Sequence, residues 1–143
     1  MLLGEYAHTI DDKGRFTMPT KLRDALRDGF VITRGLDGCL YMYDMEQWKQ
    51  FEAKLAGLPM TDRSVREFIH FFVSGAVDSN YDKQGRVPLP ANLREYAHLA
   101  KDIIIAGAGN HAEIWDAAAW RKDQDSVVEN IDALADQMSK FQI

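Results

Sequence analysis

The sequence predicts an α+β fold, rich in β-strands, that is built from two copies of one small unit. First, the pattern Asp-x-x-Gly-Arg-x-x-x-Pro occurs at residues 11–19 and again at 82–90, an offset of 82 − 11 = 71. Second, each copy continues with a matching apolar block, an aspartate and a tryptophan: 31–35 with Asp44 and Trp48, then 103–107 with Asp116 and Trp120. Third, short strand-like runs alternate with helix-like runs in both copies. An internal repeat of this kind has to be identified before local patterns are interpreted, because it determines the architecture of the whole fold.

The two copies are expected to complete one core together. The chain has 143 residues, which is about one domain, and a unit of ~45 residues buries too little apolar surface to be stable alone. The apolar blocks are offset by 107 − 35 = 72, so the alignment predicts one extra residue in copy 2, just before Asp102.

Each signature begins with a predicted tight turn. Asp11 and Asp82 suit the first position of a type I turn, and Gly14 and Gly85 suit the left-handed position that follows. These four residues are therefore predicted to be structural. The flanking strands are predicted over 4–10 and 15–18 in copy 1, and over 77–81 and 86–89 in copy 2.

Prolines and aspartates indicate where helices begin. Pro19 and Pro90 predict short helices over 20–27 and 91–99, and Asp44 and Asp116 are expected to cap the helices after them. A second hairpin lies between these features in each copy, over 30–43 and 103–115. Later helices are predicted over 45–56, over 62–73 with Thr61 as cap, and over 117–140 with one apolar stripe.

This pattern divides the chain into four segments. They are a first repeat (5–47), linking helices (48–75), a second repeat (76–119) and a C-terminal helix (120–143).

Composition excludes several classes of protein. Cys39 is the only cysteine, so no intramolecular disulfide can form, which is typical of a reducing compartment. No apolar run approaches ~20 residues, and the N-terminus lacks the features of a signal peptide. The four histidines show no metal-ligand spacing, and no paired acid and base or activated nucleophile is visible. We therefore expect no metal, no cofactor, no membrane partner, no small-molecule substrate and no enzymatic activity.

The duplicated signature resembles the MraZ family of bacterial transcriptional regulators. The resemblance covers almost the whole chain and includes the opening Met1-Leu2-Leu3-Gly4-Glu5-Tyr6. It implies an AbrB-type swapped-hairpin β-barrel, duplicated within one chain and flanked by helices. It also implies a cytoplasmic, nucleoid-associated protein that forms a closed ring and binds direct repeats in the promoter of the division and cell-wall gene cluster. The family has no catalytic activity or cofactor.

Six basic residues are the candidate contacts with double-stranded DNA: Lys13, Arg15, Lys21, Arg23, Lys83 and Arg86. An arginine on a β-ribbon can donate two hydrogen bonds to guanine in the major groove. The structural alternative stays open, because Asp11 can pair with Arg15 across the turn, and Asp82 with Arg86. For the helical arginines Arg23 and Arg27, the alternative is a solvated face.

The net charge of −5 argues against DNA binding, because DNA-binding proteins are usually basic on at least one face. The distribution of the charge answers part of this objection. Between Lys13 and Arg34 there are six basic residues and two acidic ones, so this segment is positive. Copy 1 is therefore predicted to be the main DNA-contacting copy. The competing hypothesis is an antitoxin-like or scaffold module, in which the acidic C-terminal helix binds another protein.

Overall fold

The computed structural model describes residues 1–143, with eight strands and six α-helices. In chain order the elements are β1 (Glu5–Thr9), β2 (Arg15–Thr17), α1 (Thr20–Arg23), β3 (Phe30–Arg34), β4 (Leu40–Asp44), α2 (Met45–Ala56), α3 (Arg63–Ile69), β5 (Val77–Ser79), β6 (Arg86–Pro88), α4 (Ala91–Tyr96), β7 (Asp102–Gly107), β8 (Ala112–Asp116), α5 (Ala117–Glu129) and α6 (Ile131–Met138). A π-helical turn, His70–Ser74, extends α3, and 3-10 turns lie at Leu36–Gly38 and Ser139–Phe141.

The strand order has the two-fold symmetry that the repeat predicts. The larger sheet runs β1-β7-β8-β4-β3-β5, and a two-stranded sheet consists of β2 and β6. All pairs are antiparallel. Reversing the order exchanges each strand of copy 1 with its counterpart in copy 2. The duplicated α+β fold is therefore confirmed.

The hairpin at each signature is closed at its turn but not along its strands. The turn forms as predicted, with the Asp11 amide donating to the Arg15 carbonyl at 2.8 Å and the Gly14 amide to the Asp11 carbonyl at 3.0 Å. The strands on either side then separate, since β1 pairs with β7 and β2 pairs with β6. A simple local hairpin is thus the wrong description, and each copy exchanges its strands with the other.

The alignment of the apolar blocks is wrong by one residue. Phe30 and Ile32 face the core from β3, and Ile103 and Ile105 do so from β7, an offset of 73 rather than 72. The β3–β4 register pairs Arg34 with Leu40, whereas β7–β8 pairs Gly107 with Ala112, so the second loop is one residue shorter. A slip of one residue would turn the strand's apolar side chains to the other face.

Both copies contribute equivalent side chains to one core. Four core residues have counterparts 71 positions later: Phe16 and Val87, Met18 and Leu89, Leu22 and Leu93, Leu26 and Ala97. All eight are at most 4% exposed. The core therefore lies between the copies, and neither copy encloses it alone.

The capping aspartates are confirmed, with one correction in the linker. The Asp44 carboxylate accepts a hydrogen bond from the Gln47 amide at 2.7 Å, and that of Asp116 from the Ala119 amide at 3.2 Å. The third cap is Asp62 rather than Thr61, because its carboxylate accepts from the Ser64 amide at 2.8 Å.

Three helices end earlier than predicted. Helix α1 stops at Arg23, and residues 24–28 form turns that still bury Leu26. Helix α4 stops at Tyr96, before the positive φ of His98. The predicted C-terminal helix is interrupted at Asn130, whose side chain donates to the Ser126 carbonyl at 2.8 Å.

The apolar stripe of the C-terminal helices is largely uncovered. Val128 is 70% exposed and Ile131 is 52% exposed, while Val127, Leu134 and Met138 are half-buried. The linking helices differ, since Trp48, Leu55 and Phe72 are buried there. Trp120, the counterpart of Trp48, is only half-buried and packs edge-on against Trp115 at 5.4 Å.

A polar cluster lies where β4 meets β8, at the junction of the copies. The Glu113 carboxylate accepts hydrogen bonds from the indole of Trp115 at 2.9 Å and from the ring of His111 at 2.9 Å. Burial alone would raise the pKa of Glu113, but these hydrogen bonds outweigh it and lower that pKa. The His111 ring also packs on Tyr41, with ring centroids 4.4 Å apart.

Candidate nucleic-acid interface

The candidate interface is the outer face of the two-stranded sheet formed by β2 and β6, here called the ribbon. The side chains of Phe16 and Val87 point inward and are buried. Because side chains alternate along a strand, Arg15, Thr17 and Arg86 point outward with Pro88. Proline fits here since each strand of a two-stranded sheet has a free edge.

The two signature turns lie at opposite ends of the ribbon. The antiparallel register places Arg15 opposite Pro88 and Thr17 opposite Arg86. The two arginines are therefore about 7 Å apart along the strands and about 5 Å apart across them. Lys13, on turn 1 (residues 11–14), and Lys83, on turn 2 (residues 82–85), are exposed beyond the two ends. The ribbon thus brings together four of the six candidate basic residues.

The aspartate of each signature organises its own turn. One oxygen of Asp11 accepts from the backbone amides of Lys13 at 2.9 Å and Arg15 at 3.0 Å, and the other accepts from Arg15 Nε at 2.9 Å. Asp82 repeats this with Gln84 and Arg86, with Nε at 2.7 Å. The backbone hydrogen bond from residue 15 or 86, followed by the guanidinium, holds the pKa of each carboxyl below its usual 3.8.

The pairing of each arginine with its aspartate, which the sequence left open, is present in both copies. It occupies only one edge of the Arg15 guanidinium, since the two terminal nitrogens make no hydrogen bond within the chain. In copy 2, Arg86 Nη2 donates to Gln84 Oε1 at 2.7 Å. Arg15 therefore has the less occupied donor fork, although its side chain is 24% exposed and that of Arg86 is 30% exposed.

Arg23 does not lie on a solvated helix face, as one interpretation of the sequence held. Its Nη2 donates to the Met18 carbonyl at 3.2 Å, and its guanidinium lies 5.8 Å from the ring centroid of Tyr81. Its Nε is buried without a hydrogen-bond partner. The side chain is thus directed beneath the ribbon rather than outward.

Lys21 remains exposed on α1, apart from the ribbon strands. Its counterpart 71 residues later is Asn92, so the copies differ in charge here. Arg34, counted above in the positive segment, instead donates to the Phe71 and His70 carbonyls of the π-helical turn, at 3.0 and 3.2 Å. Its guanidinium packs over the Phe71 ring at 4.7 Å.

The sequence pattern did not indicate a role for Arg94, although the repeat offered a clue. It lies 71 residues after Arg23, the same offset as the signature. Its Nε donates to the Leu89 carbonyl at 3.1 Å, which is the counterpart of the bond from Arg23 to Met18. Arg94 therefore occupies the equivalent place beneath the other side of the ribbon.

The chain contains no group of three or more His, Cys, Asp or Glu side chains arranged to hold a metal ion. None of its helices combines the length and the apolar character needed to cross a bilayer.

The chain is similar along its length to proteins of one family. A family model described as "MraZ protein, putative antitoxin-like" matches residues 1–70 and again 72–141, which follows the two copies. A transcriptional regulator MraZ from Limosilactobacillus fermentum is 48% identical over 135 residues, covering 94% of each chain. The proteins of the same name from Halothermothrix orenii and Thermoanaerobacter pseudethanolicus are 46% and 45% identical over 143 residues, covering 100% of each chain. The chain belongs to the MraZ family.

Proposed function

We propose that this protein is a sequence-specific DNA-binding transcriptional regulator, and that the ribbon with its two turns contacts the DNA. The observation that supports this most directly is the Arg15 guanidinium, whose Nε is bonded to Asp11 while its terminal nitrogens stay free. Relatives named transcriptional regulators support the same conclusion.

The geometry suits a contact in the major groove. A two-stranded ribbon fits that groove, and a guanidinium there donates to guanine O6 and N7. The bond to Asp11 limits rotation of the side chain before DNA arrives, so less conformational entropy is lost on binding. The structural pairing and the DNA contact are thus compatible roles for Arg15.

Lys13, Lys83 and Lys21 would contact phosphates, with Arg86 as a second, weaker base contact. Phosphate contacts position a protein on DNA and make its affinity depend on salt. Two of the three acidic residues of the turns, Asp11 and Asp82, are each paired with an arginine. The third, Asp12, is exposed and forms no salt bridge, so it reduces the positive charge of turn 1.

A single ribbon offers few contacts, so we further propose that the chain acts as a closed ring. A ring presents several identical ribbons, and direct repeats at matching spacing engage several of them together. Linked sites of this kind gain ~10²–10⁴ in avidity. The proposed target is the direct repeats in the promoter of the division and cell-wall gene cluster, in the cytoplasm and at the nucleoid, as the family resemblance implies.

The direct test compares Arg15→Ala with Arg27→Ala in gel shifts on the promoter DNA at several salt concentrations. Both changes remove one arginine, but the Arg27 side chain is 71% exposed and lies outside the ribbon. We expect Arg15→Ala to lose ~1–3 kcal/mol of sequence discrimination, with Arg27→Ala close to wild type. Equal effects of the two variants, with assembly intact, would contradict the assignment of Arg15.

The ring proposal has its own test. Shifting one direct repeat by half a helical turn would move it to the opposite side of the DNA, so affinity should fall by the avidity factor. Unchanged affinity would mean that the repeats are bound independently.

The second candidate is an antitoxin-like or scaffold module. It is favoured by the exposed apolar side chains of the C-terminal helices, such as Val128 and Ile131, and by the wording of the family description. Removing residues 131–143 should abolish partner binding under this hypothesis and leave promoter binding unchanged under the first.

A further inference from the structure

Each signature turn lies against an arginine of the other copy. A methyl group added at Gly14 of turn 1 would lie 2.9 Å from Cζ of Arg94, and one added at Gly85 of turn 2 would lie 2.8 Å from Nη2 of Arg23. Both glycines have positive φ, +77° and +75°. The glycine of the signature therefore meets two demands, a left-handed backbone and close contact with a guanidinium.

The same two arginines bond to the strand end that supports the opposite turn. The Leu89 carbonyl accepts from Arg94 Nε, and the Leu89 amide donates to the Gly14 carbonyl at 2.9 Å. On the other side, the Met18 carbonyl accepts from Arg23, and the Met18 amide donates to the carbonyl of residue 85 at 3.4 Å. A continuous set of contacts thus runs from the helix of one copy to the turn of the other.

Simple stabilisation does not account well for this arrangement. No acidic group forms a salt bridge with Arg23 or Arg94, and Arg23 Nε is buried with no partner. An unsatisfied buried donor lowers stability, so at position 23 an apolar residue would be the better choice if only packing mattered. Arg94 Nε is bonded to the Leu89 carbonyl, so for Arg94 the argument rests on the absence of an acidic partner.

We infer that Arg23 and Arg94 are positioning residues, and that each sets the turn of the opposite copy. Turn 1, with Lys13 and Arg15, is then presented by Arg94 of copy 2, and turn 2 by Arg23 of copy 1. The structural part of this inference stands apart from DNA binding, while its consequence for promoter affinity rests on the proposed function.

Hydrogen exchange measured by mass spectrometry tests the structural part. The variants are Arg94→Ala and Arg23→Ala, with Arg27→Ala as the matched control. The reporters are the amides of residues 11–17 and 82–88, which leave out Met18 and Leu89 because their amides bond to the opposite turn. We expect Arg94→Ala to accelerate exchange in 11–17 by about tenfold, through loss of local protection, with a smaller change in 82–88. Arg23→Ala should give the reverse pattern, and Arg27→Ala should leave exchange in both peptides at the wild-type rate.

The crossed pattern is what distinguishes positioning from general destabilisation. Equal acceleration of both peptides, or acceleration only in the variant's own copy, would overturn the inference. If Arg94→Ala does not fold, Arg94→Lys serves in its place. It keeps the charge but loses the planar guanidinium, so it should still accelerate exchange in 11–17. Exchange at the wild-type rate in this variant would overturn the inference.

Promoter binding provides the second readout. A phosphate contact contributes about 0.9 to the slope of log K against log salt, and its removal lowers that slope. Arg94→Ala should weaken binding roughly tenfold, within the range for coupled residues, and leave the slope unchanged. A lower slope would make Arg94 a DNA contact and overturn the positioning role. If the two variants show the crossed exchange pattern but wild type itself does not bind the promoter, the structural inference holds and the proposed function fails.

Discussion

Replacing Gly14 by alanine should destabilise the protein more than the same change at a glycine of equal backbone conformation. Gly14 has φ +77° and would place its methyl group 2.9 Å from Arg94 Cζ, whereas Gly38 has φ +75° and no atom within 4 Å of that position. Gly38→Ala is therefore the matched control, since only the backbone cost applies to it.

The magnitudes follow from these two environments. An alanine in the left-handed region costs ~1–2 kcal/mol, and both variants bear this cost. At Gly14 the arginine must also move, which breaks its bond to the Leu89 carbonyl. Losing such a hydrogen bond in a half-exposed setting lowers the free energy of unfolding by about 1–2 kcal/mol. We expect Gly14→Ala to cost about 2–4 kcal/mol in total.

Urea denaturation at one fixed protein concentration measures the difference, because the proposed assembly would make apparent stability depend on concentration. The decisive comparison is a double-mutant cycle. In an Arg94→Ala background, Gly14→Ala should cost only as much as Gly38→Ala does in wild type. If Gly14→Ala costs the same with and without Arg94, the contact with the arginine does not explain why glycine occupies this position.

Three further predictions concern charge and packing. The folded pKa values of Asp11 and Asp82 lie below 3.8, so their stabilising effect is complete above the unfolded pKa and is lost as pH falls through the folded pKa. The difference in free energy of unfolding in urea between wild type and the double Asp11→Asn, Asp82→Asn variant should therefore stay constant above about pH 5 and shrink below about pH 4. Removing the Glu113 carboxylate by alanine leaves the Trp115 indole, the His111 ring and the weak Cys39 thiol donor without this acceptor and should cost about 1–3 kcal/mol by the same denaturation. A value near zero would show that water replaces the carboxylate freely. Trp48→Ala should cost about 3–5 kcal/mol, and Trp120→Ala clearly less because Trp120 is half-buried; equal losses would contradict the difference in burial between the two sites.

The repeat made much of the fold predictable from sequence. The turns at Asp11 and Asp82, the caps at Asp44 and Asp116, and the duplicated architecture all follow from local chemistry that occurs twice. The choice of strand partner was supplied by the family resemblance and not by local pattern, since the turn residues are the same whether β2 pairs with β1 or with β6. The one-residue error between the apolar blocks arose because a run of three isoleucines, Ile103 to Ile105, does not show which side chains face the core.

The candidate site was predictable in composition but not in role. Spacing alone allowed Arg15 to pair with Asp11 or to contact DNA. The pairing uses Nε and leaves both terminal nitrogens without a partner in the chain, so the two roles are compatible. For Arg23 the sequence predicted a DNA contact or a solvated helix face, because nothing in its own helix indicates that it lies beneath a turn some sixty residues away. Contacts of that kind depend on the tertiary exchange of strands, which sequence periodicity does not report.

The exchange of strands also governs how the chain can fold as it is synthesised. Strand β1 has no partner until β7 is made, about a hundred residues later, and β2 waits for β6. Pairings so distant in sequence close late and slowly. The first half of the nascent chain therefore emerges with much of its apolar surface uncovered, and only the short helix α1 and the linking helices α2 and α3 are available to cover part of it.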